Sequence, residues 1–194
     1  MQLVALIGFS YLLGSIPSGY ILGKFSGVDV RQVGSGNIGA SNVARALGKW
    51  QGALTLVADA LKGALPAALG IWLALAPRSI AGLAAAAFLG HLYPIFLKFR
   101  GGKGVATALG AMLVIAPPAT ALLVALFAVV VMLTRLVSLS SMIAAAAAPL
   151  AFWMMSQPKE IVELGTFIAA MIVWRHRGNI QRLLAGTEPR FGSH

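Results

Sequence analysis

The stretch Gly104–Thr134, GVATALGAMLVIAPPATALLVALFAVVVMLT, decides the fold class. It runs for 31 residues without a charge. A helix crossing the hydrocarbon core of a bilayer needs about 20 apolar residues at ~1.5 Å each. This run is too long for one such helix, and Pro117-Pro118 cuts it. Adjacent prolines remove two N–H donors and disfavour helix in the residue before them, so the run splits into a short helix and a full one. Working outward, comparable runs lie at Gln2–Gly23, Trp50–Ala76 (interrupted only by Asp59 and Lys62), Ser79–Leu97 and Leu136–Pro158. A last run, Leu164–Trp174, has 11 residues and lengthens if residues 159–163 join it. The expectation is an all-α polytopic membrane helix bundle of seven transmembrane helices, of which 104–116 and the last are short. The alternative is five full spans, with the short helices re-entrant or interfacial.

Composition points the same way. Apolar types make up 59% of the 194 residues and charged types 10%, against about 25% charged in soluble domains. That balance excludes both a soluble globule and a disordered chain. One domain, 1–194, is expected, and no internal repeat is visible. The first run is not a signal peptide, because no basic residue precedes it and it is too long for an h-region. With no Cys, disulfides, thiolate chemistry and Cys-ligated zinc are excluded. The 15 Lys and Arg sort by alternation of the spans: 12 fall on one side, Arg78 and Lys159 on the other, and Lys62 within a span. Basic residues favour the cytoplasmic side, so the N-terminus is expected outside and the C-terminus in the cytoplasm. The net charge of +10 also suits anionic lipid or phosphorylated substrates.

Three clusters on the expected cytoplasmic side carry candidate chemistry. The first is GSGNIGASNVAR, residues 34–45. It contains G-x-G-x-x-G, but no βαβ unit fits between two spans, so a dinucleotide site fails on context. An anion-binding nest fits better: Gly34 and Gly36 let backbone N–H groups converge, Ser35, Asn37, Ser41 and Asn42 add side-chain donors, and Arg45 forks onto a phosphate. The alternative is a flexible polar loop with a basic anchor. The second is GHLYPIFLKFRGGKGVAT, residues 90–107. It is not a Walker loop, since Leu97 stands where a glycine is required and Gly104 follows the lysine. Gly102 and Gly104 lead into a short helix with Thr107 near its start, so free N–H groups and Lys103 together make a phosphate seat. Lys98 and Arg100 read as snorkelling anchors; His91 suits helix packing as well as function. The third is RHRGNIQRLLAGTE, residues 175–188. Ile180, Leu183 and Leu184 give a short amphipathic interfacial helix, on which His176 and Asn179 share a face, with Arg182 and Glu188 following. Within the spans, Asp59 and Lys62 are three apart and neutralise each other, with Lys62 assisting an anion as the alternative. Ser138, Ser140 and Ser141 open a helix at its cytoplasmic end, where N–H groups face an anion or the serines simply cap and pack.

Taken together and in this order, the three motifs resemble those of the bacterial acyl-phosphate-dependent glycerol-3-phosphate acyltransferase family, over nearly the whole chain. The resemblance implies transfer of an acyl group from acyl phosphate to the 1-hydroxyl of sn-glycerol 3-phosphate, at the cytoplasmic face of the inner membrane. Matching positions implicate Ser35, Asn37, Arg45, Lys103, Ser141, His176 and Asn179. Ser35, Lys103, His176 and Asn179 are expected as catalytic; Gly34, Gly36, Asn37, Ser41, Asn42, Arg45, Gly102, Gly104, Thr107 and Ser141 as phosphate-binding. Lys62, His91, Arg182 and Glu188 are lesser candidates. No cofactor, metal, nucleic acid or protein partner is expected beyond the substrates and the bilayer. The residues agree: the His-x-x-x-x-Asp pair of another acyltransferase class is absent, and Asp29 and Asp59 are too few for the metal site of a phosphatidyltransferase. A small transporter for a phosphorylated anion is the rival, although transporters usually show repeats and a midplane site.

Overall fold

The computed structural model describes residues 1–192, and among them every regular element is helical. In chain order these are α1 (Gln2–Gly14), α2 (Ser18–Phe25), α3 (Ala40–Leu47), α4 (Lys49–Trp72), α5 (Pro77–Leu92), a 3-10 turn (Ile95–Leu97), α6 (Val105–Ile115), α7 (Pro117–Thr134), α8 (Val137–Met154), α9 (Lys159–Arg175) and α10 (Arg177–Leu184). Among the described residues five stretches are long and apolar enough to cross a membrane: Gln2–Phe25, Lys49–Trp72, Pro77–Leu97, Pro117–Thr134 and Val137–Met154. The two helices marked short in the sequence are α6, of 11 residues, and α9, of 17, which takes in 159–163. The chain is a multi-pass membrane protein. It forms two compact units, Met1–Ile115 and Ala116–His194, dividing at the proline pair.

Two local expectations need correction. The run Gln2–Gly23 is not one helix: α1 ends at Gly14 and α2 starts at Ser18. Pro17 has no N–H to give and disfavours helix at Ile16. The break exposes the Ile16 carbonyl, which accepts from Lys62 Nζ at 2.8 Å. The polar stretch 24–49 also contains a helix, α3. Its signal is faint: Val43 and Leu47 are four apart, and Gly39 and Gly48 flank it.

In the first unit α4 is central, packing on α3, α5 and α6, while α1 packs on α5. Small residues set these distances, as is common where lipid offers no hydrophobic drive between helices. A Cβ on Gly110 would overlap the Ala60 carbonyl, and one on Gly63 the Thr107 carbonyl, so the α4 and α6 backbones nearly touch. Gly14 lies equally close to Ala87. In the second unit α8 packs on both α7 and α9, with Gly165 seated under the Phe152 ring. Helix α7 buries only Ala119 and Thr120. Its Leu122, Val124, Met132 and Leu133 face outward, a surface that water would not tolerate and acyl chains do.

Candidate functional site

In the first unit the loop before α3 is organised by one side chain. Asn42 is 2% exposed. Its Nδ2 donates to the carbonyls of Val30 (2.9 Å), Val33 (3.0 Å) and Asn37 (2.9 Å), and its Oδ1 accepts the Ser35 N–H at 2.9 Å. Both ends of the amide are thus engaged inside the loop. This corrects the expectation of Asn42 as a phosphate donor: it is the strut that shapes the loop. The nest is also less open than its glycines suggest. The Gly36 N–H donates to the Val33 carbonyl (3.0 Å) and the Gly39 N–H to Asn37 Oδ1 (2.8 Å). Gly34 and Gly36 adopt φ of +58° and +67°, which lets the chain turn around Asn42. What this loop presents outward is the side chains of Ser35, Ser41 and Arg45, all exposed. Arg31 does not join them. Its guanidinium grips Asp29 (2.9 and 2.6 Å) and lies over the Tyr20 ring. The Arg31 hydrogen bond draws the Asp29 carboxyl down to about 2.

The second loop hangs from the end of α5. The Gly101 N–H donates to the Leu92 carbonyl and the Gly102 N–H to the His91 carbonyl, each at 3.1 Å. Tyr11 Oη donates to the Tyr93 carbonyl at 2.7 Å, tying α1 to the same turn. Gly104 has φ +84° and no room for a Cβ beside Phe88 and Leu92. These contacts deliver a half-buried Lys103 to the start of α6. Thr107, in the first turn of α6, is wholly buried, and its Oγ1 has no hydrogen-bond partner. Lys62 likewise lies buried against Asp59 Oδ1 at 2.9 Å, which is the mutual neutralisation read from the sequence.

In the second unit Glu188 is the hub. Its side chain is 6% exposed. It accepts from Ser138 Oγ (2.7 Å), Asn179 Nδ2 (2.6 Å) and Arg182 Nε (2.8 Å), linking α8, α10 and the segment after α10. Burial alone would raise its pKa, but these three hydrogen bonds and the Arg182 charge carry it below the usual carboxylate value. Ser141 Oγ donates to the Val137 carbonyl at 2.8 Å, so its proton is engaged within α8. His176 is buried where α9 passes into α10, with Nδ1 2.8 Å from the Ile172 carbonyl. A carbonyl only accepts, so Nδ1 carries a proton. Arg177 stacks on the Trp174 ring. The Ser138–Glu188 bond joins residues 50 apart in sequence, and no local pattern announces it.

The first unit therefore ties Ser35 and Asn37 to Asn42, with Ser41 and Arg45 on the same short helix, and seats Gly102, next to Lys103 in the chain, on His91. The second groups Asn179, Arg182 and Glu188 with Ser138. The glycerol-3-phosphate acyltransferase family model matches residues 4–186, which takes in every one of these positions except Glu188. This chain belongs to that family. Among its relatives, the glycerol-3-phosphate acyltransferase of Rubrobacter xylanophilus is 46% identical over 189 residues, covering 97% of this chain and 95% of the relative. That of Geobacter metallireducens is 50% identical, covering 97% of each. Two crystal structures of PlsY (YgiH), an integral membrane glycerol 3-phosphate acyltransferase, share the fold of this family member. The glycerol 3-phosphate form superimposes with a TM-score of 0.96 at 41% identity, covering 99% of this chain and 96% of that one. The lysophosphatidic acid form gives 0.93 at 40% identity, with the same coverage.

Proposed function

We infer that the chain is a glycerol-3-phosphate acyltransferase that takes its acyl group from an acyl phosphate. The 1-hydroxyl of sn-glycerol 3-phosphate attacks the acyl carbonyl, a carbon–oxygen bond forms, the bond to phosphate breaks, and lysophosphatidic acid and inorganic phosphate leave. The observation that carries the reading is the near-complete correspondence with PlsY in its substrate form, at a TM-score of 0.96. Both substrates bear phosphate, and the chain presents separate cationic elements in Arg45 and Lys103. Phosphate leaves as an already weakly basic anion, so it is a good leaving group and demands no general acid. Ser35, Arg45 and Lys103 would hold phosphate oxygens and offset charge developing on the carbonyl oxygen. The attacking hydroxyl's proton passes to a substrate phosphate, with His176 as the competing acceptor. Asn179, bound to Glu188, serves by holding the third motif in shape.

The reading places the enzyme in the bacterial inner membrane, crossing it seven times with α1 and α2 as one span. The N-terminus lies outside and the three motifs in the cytoplasm, as the 12-to-2 partition of basic residues supports. No protein partner is required. Incubating pure protein with acyl phosphate and labelled glycerol 3-phosphate tests the reading; labelled lysophosphatidic acid is the expected product. Transfer from acyl-CoA but not from acyl phosphate would contradict it.

A further inference from the structure

The first unit contains a cluster of ionisable side chains that the reaction as described does not use. Asp59 and Lys62 on α4 and His91 at the end of α5 are 3%, 4% and 4% exposed. Lys62 Nζ lies 2.9 Å from Asp59 Oδ1 and donates to the Ile16 carbonyl at 2.8 Å. His91 Nδ1 stands 3.8 Å from the same carboxylate oxygen. Ionisable groups inside a membrane-spanning segment are costly and mark function by default. A buried ion pair adds no net stability over well-packed apolar side chains, so its retention points to something it holds in place.

The other edge of the His91 ring shows what that is. The imidazole lies against Gly102 so closely that a Cβ there would overlap Nε2. The backbone repeats the attachment, because the Gly102 N–H donates to the His91 carbonyl at 3.1 Å. His91 thus has Asp59 on one side and, on the other, the turn that carries Lys103.

We propose that Asp59, Lys62 and His91 are positioning residues: the buried ion pair fixes the His91 ring, and the ring fixes the Gly101–Lys103 turn and with it the Lys103 ammonium. The proposal rests on the reading of Lys103 as a phosphate seat. Its logic is steric as well as electrostatic. Glycine at 102 is required by the ring, and the Asp59 carboxylate backs the ring's other edge at 3.8 Å, by proximity rather than by a hydrogen bond. A displacement of about 1 Å in a phosphate-holding ammonium costs up to about 100-fold in turnover.

The test is steady-state kinetics on the full chain in detergent or vesicles, with KM measured separately for acyl phosphate and glycerol 3-phosphate. The variants are His91→Ala, Gly102→Ala, the His91→Ala/Gly102→Ala pair, and the apolar double Asp59→Leu/Lys62→Met, which leaves no charge unpaired. His91→Ala is expected to raise KM for one substrate and lower kcat/KM about 10–100-fold. Gly102→Ala impairs the enzyme alone but adds little once His91 is gone, because the collision is removed. The apolar double melts near the wild-type temperature yet shows the same KM rise. Equal losses from Gly102→Ala with and without His91, or variants that lose only thermal stability while KM stays unchanged, would overturn the proposal. Inactive wild-type protein would instead sink the functional reading.

Discussion

Arg45 and Lys103 are the cations read as phosphate-holding in the first two motifs, whereas Lys98, exposed after the 3-10 turn, is read as a snorkelling anchor. A hydrogen bond to a charged group contributes ~1.5–3 kcal/mol, equivalent to about 10–150-fold in rate or affinity. Arg45→Ala and Lys103→Ala are each expected to lose kcat/KM by that factor, while Lys98→Ala stays within about twofold of wild type. Turnover near normal in both of the first two variants, measured on pure protein, would remove them from the site. Glu188 belongs to the scaffold. Its pKa is held below 4.5 in the folded chain by Ser138, Asn179 and Arg182, so its contribution to stability is fully present above the unfolded value. That contribution falls away as pH drops below about 4.5 and through the lower folded value. Glu188→Gln, which turns an acceptor into a donor facing donors, should cost about 1–3 kcal/mol. It should also flatten the acid limb of a melting-temperature profile; an unchanged acid limb would mean the hub bears no load.

The elements were legible in the sequence to the extent that the signal was local. Pro117-Pro118 parts α6 from α7 as expected, because missing donors cannot be restored by packing. Pro17 carries the same signal, yet it lies inside an uncharged run, and the run's length concealed the break between α1 and α2. Helix α3 was hidden by its composition, since Ser41 and Asn42 read as loop donors until Asn42 is seen gathering three carbonyls. The roles of Asn42 and Glu188 rest on contacts that only the folded chain creates, so their residue types were visible and their partners were not. Interhelical glycines were equally silent. Gly110 lies on the Ala60 carbonyl, whereas Gly8 has nothing near its Cβ direction. Gly110→Val should therefore destabilise the protein by about 1–3 kcal/mol through overpacking. Gly8→Ala should be neutral or stabilising by up to about 1 kcal/mol, from helix propensity. Thermal unfolding in detergent compares them; equal melting temperatures would show that α4 and α6 are not in close contact.

For the whole molecule, the account joins membrane topology to chemistry. The chain contains no Cys, so single cysteines report sidedness cleanly. Ser35→Cys and Gln181→Cys, both at exposed positions, should react with impermeant maleimide only after the cytoplasmic face is opened. Ala76→Cys should react from outside; the reverse pattern would invert the topology. The central claim is direct acyl transfer from acyl phosphate to glycerol 3-phosphate. It is tested most directly by initial rates of lysophosphatidic acid formation with both substrates varied, on the pure protein, alongside a search for acylated enzyme when glycerol 3-phosphate is withheld. The account predicts intersecting reciprocal plots, one phosphate released per lysophosphatidic acid formed, and no acylated protein. Parallel plots, or an acyl group trapped on Ser35 or Ser141, would contradict it.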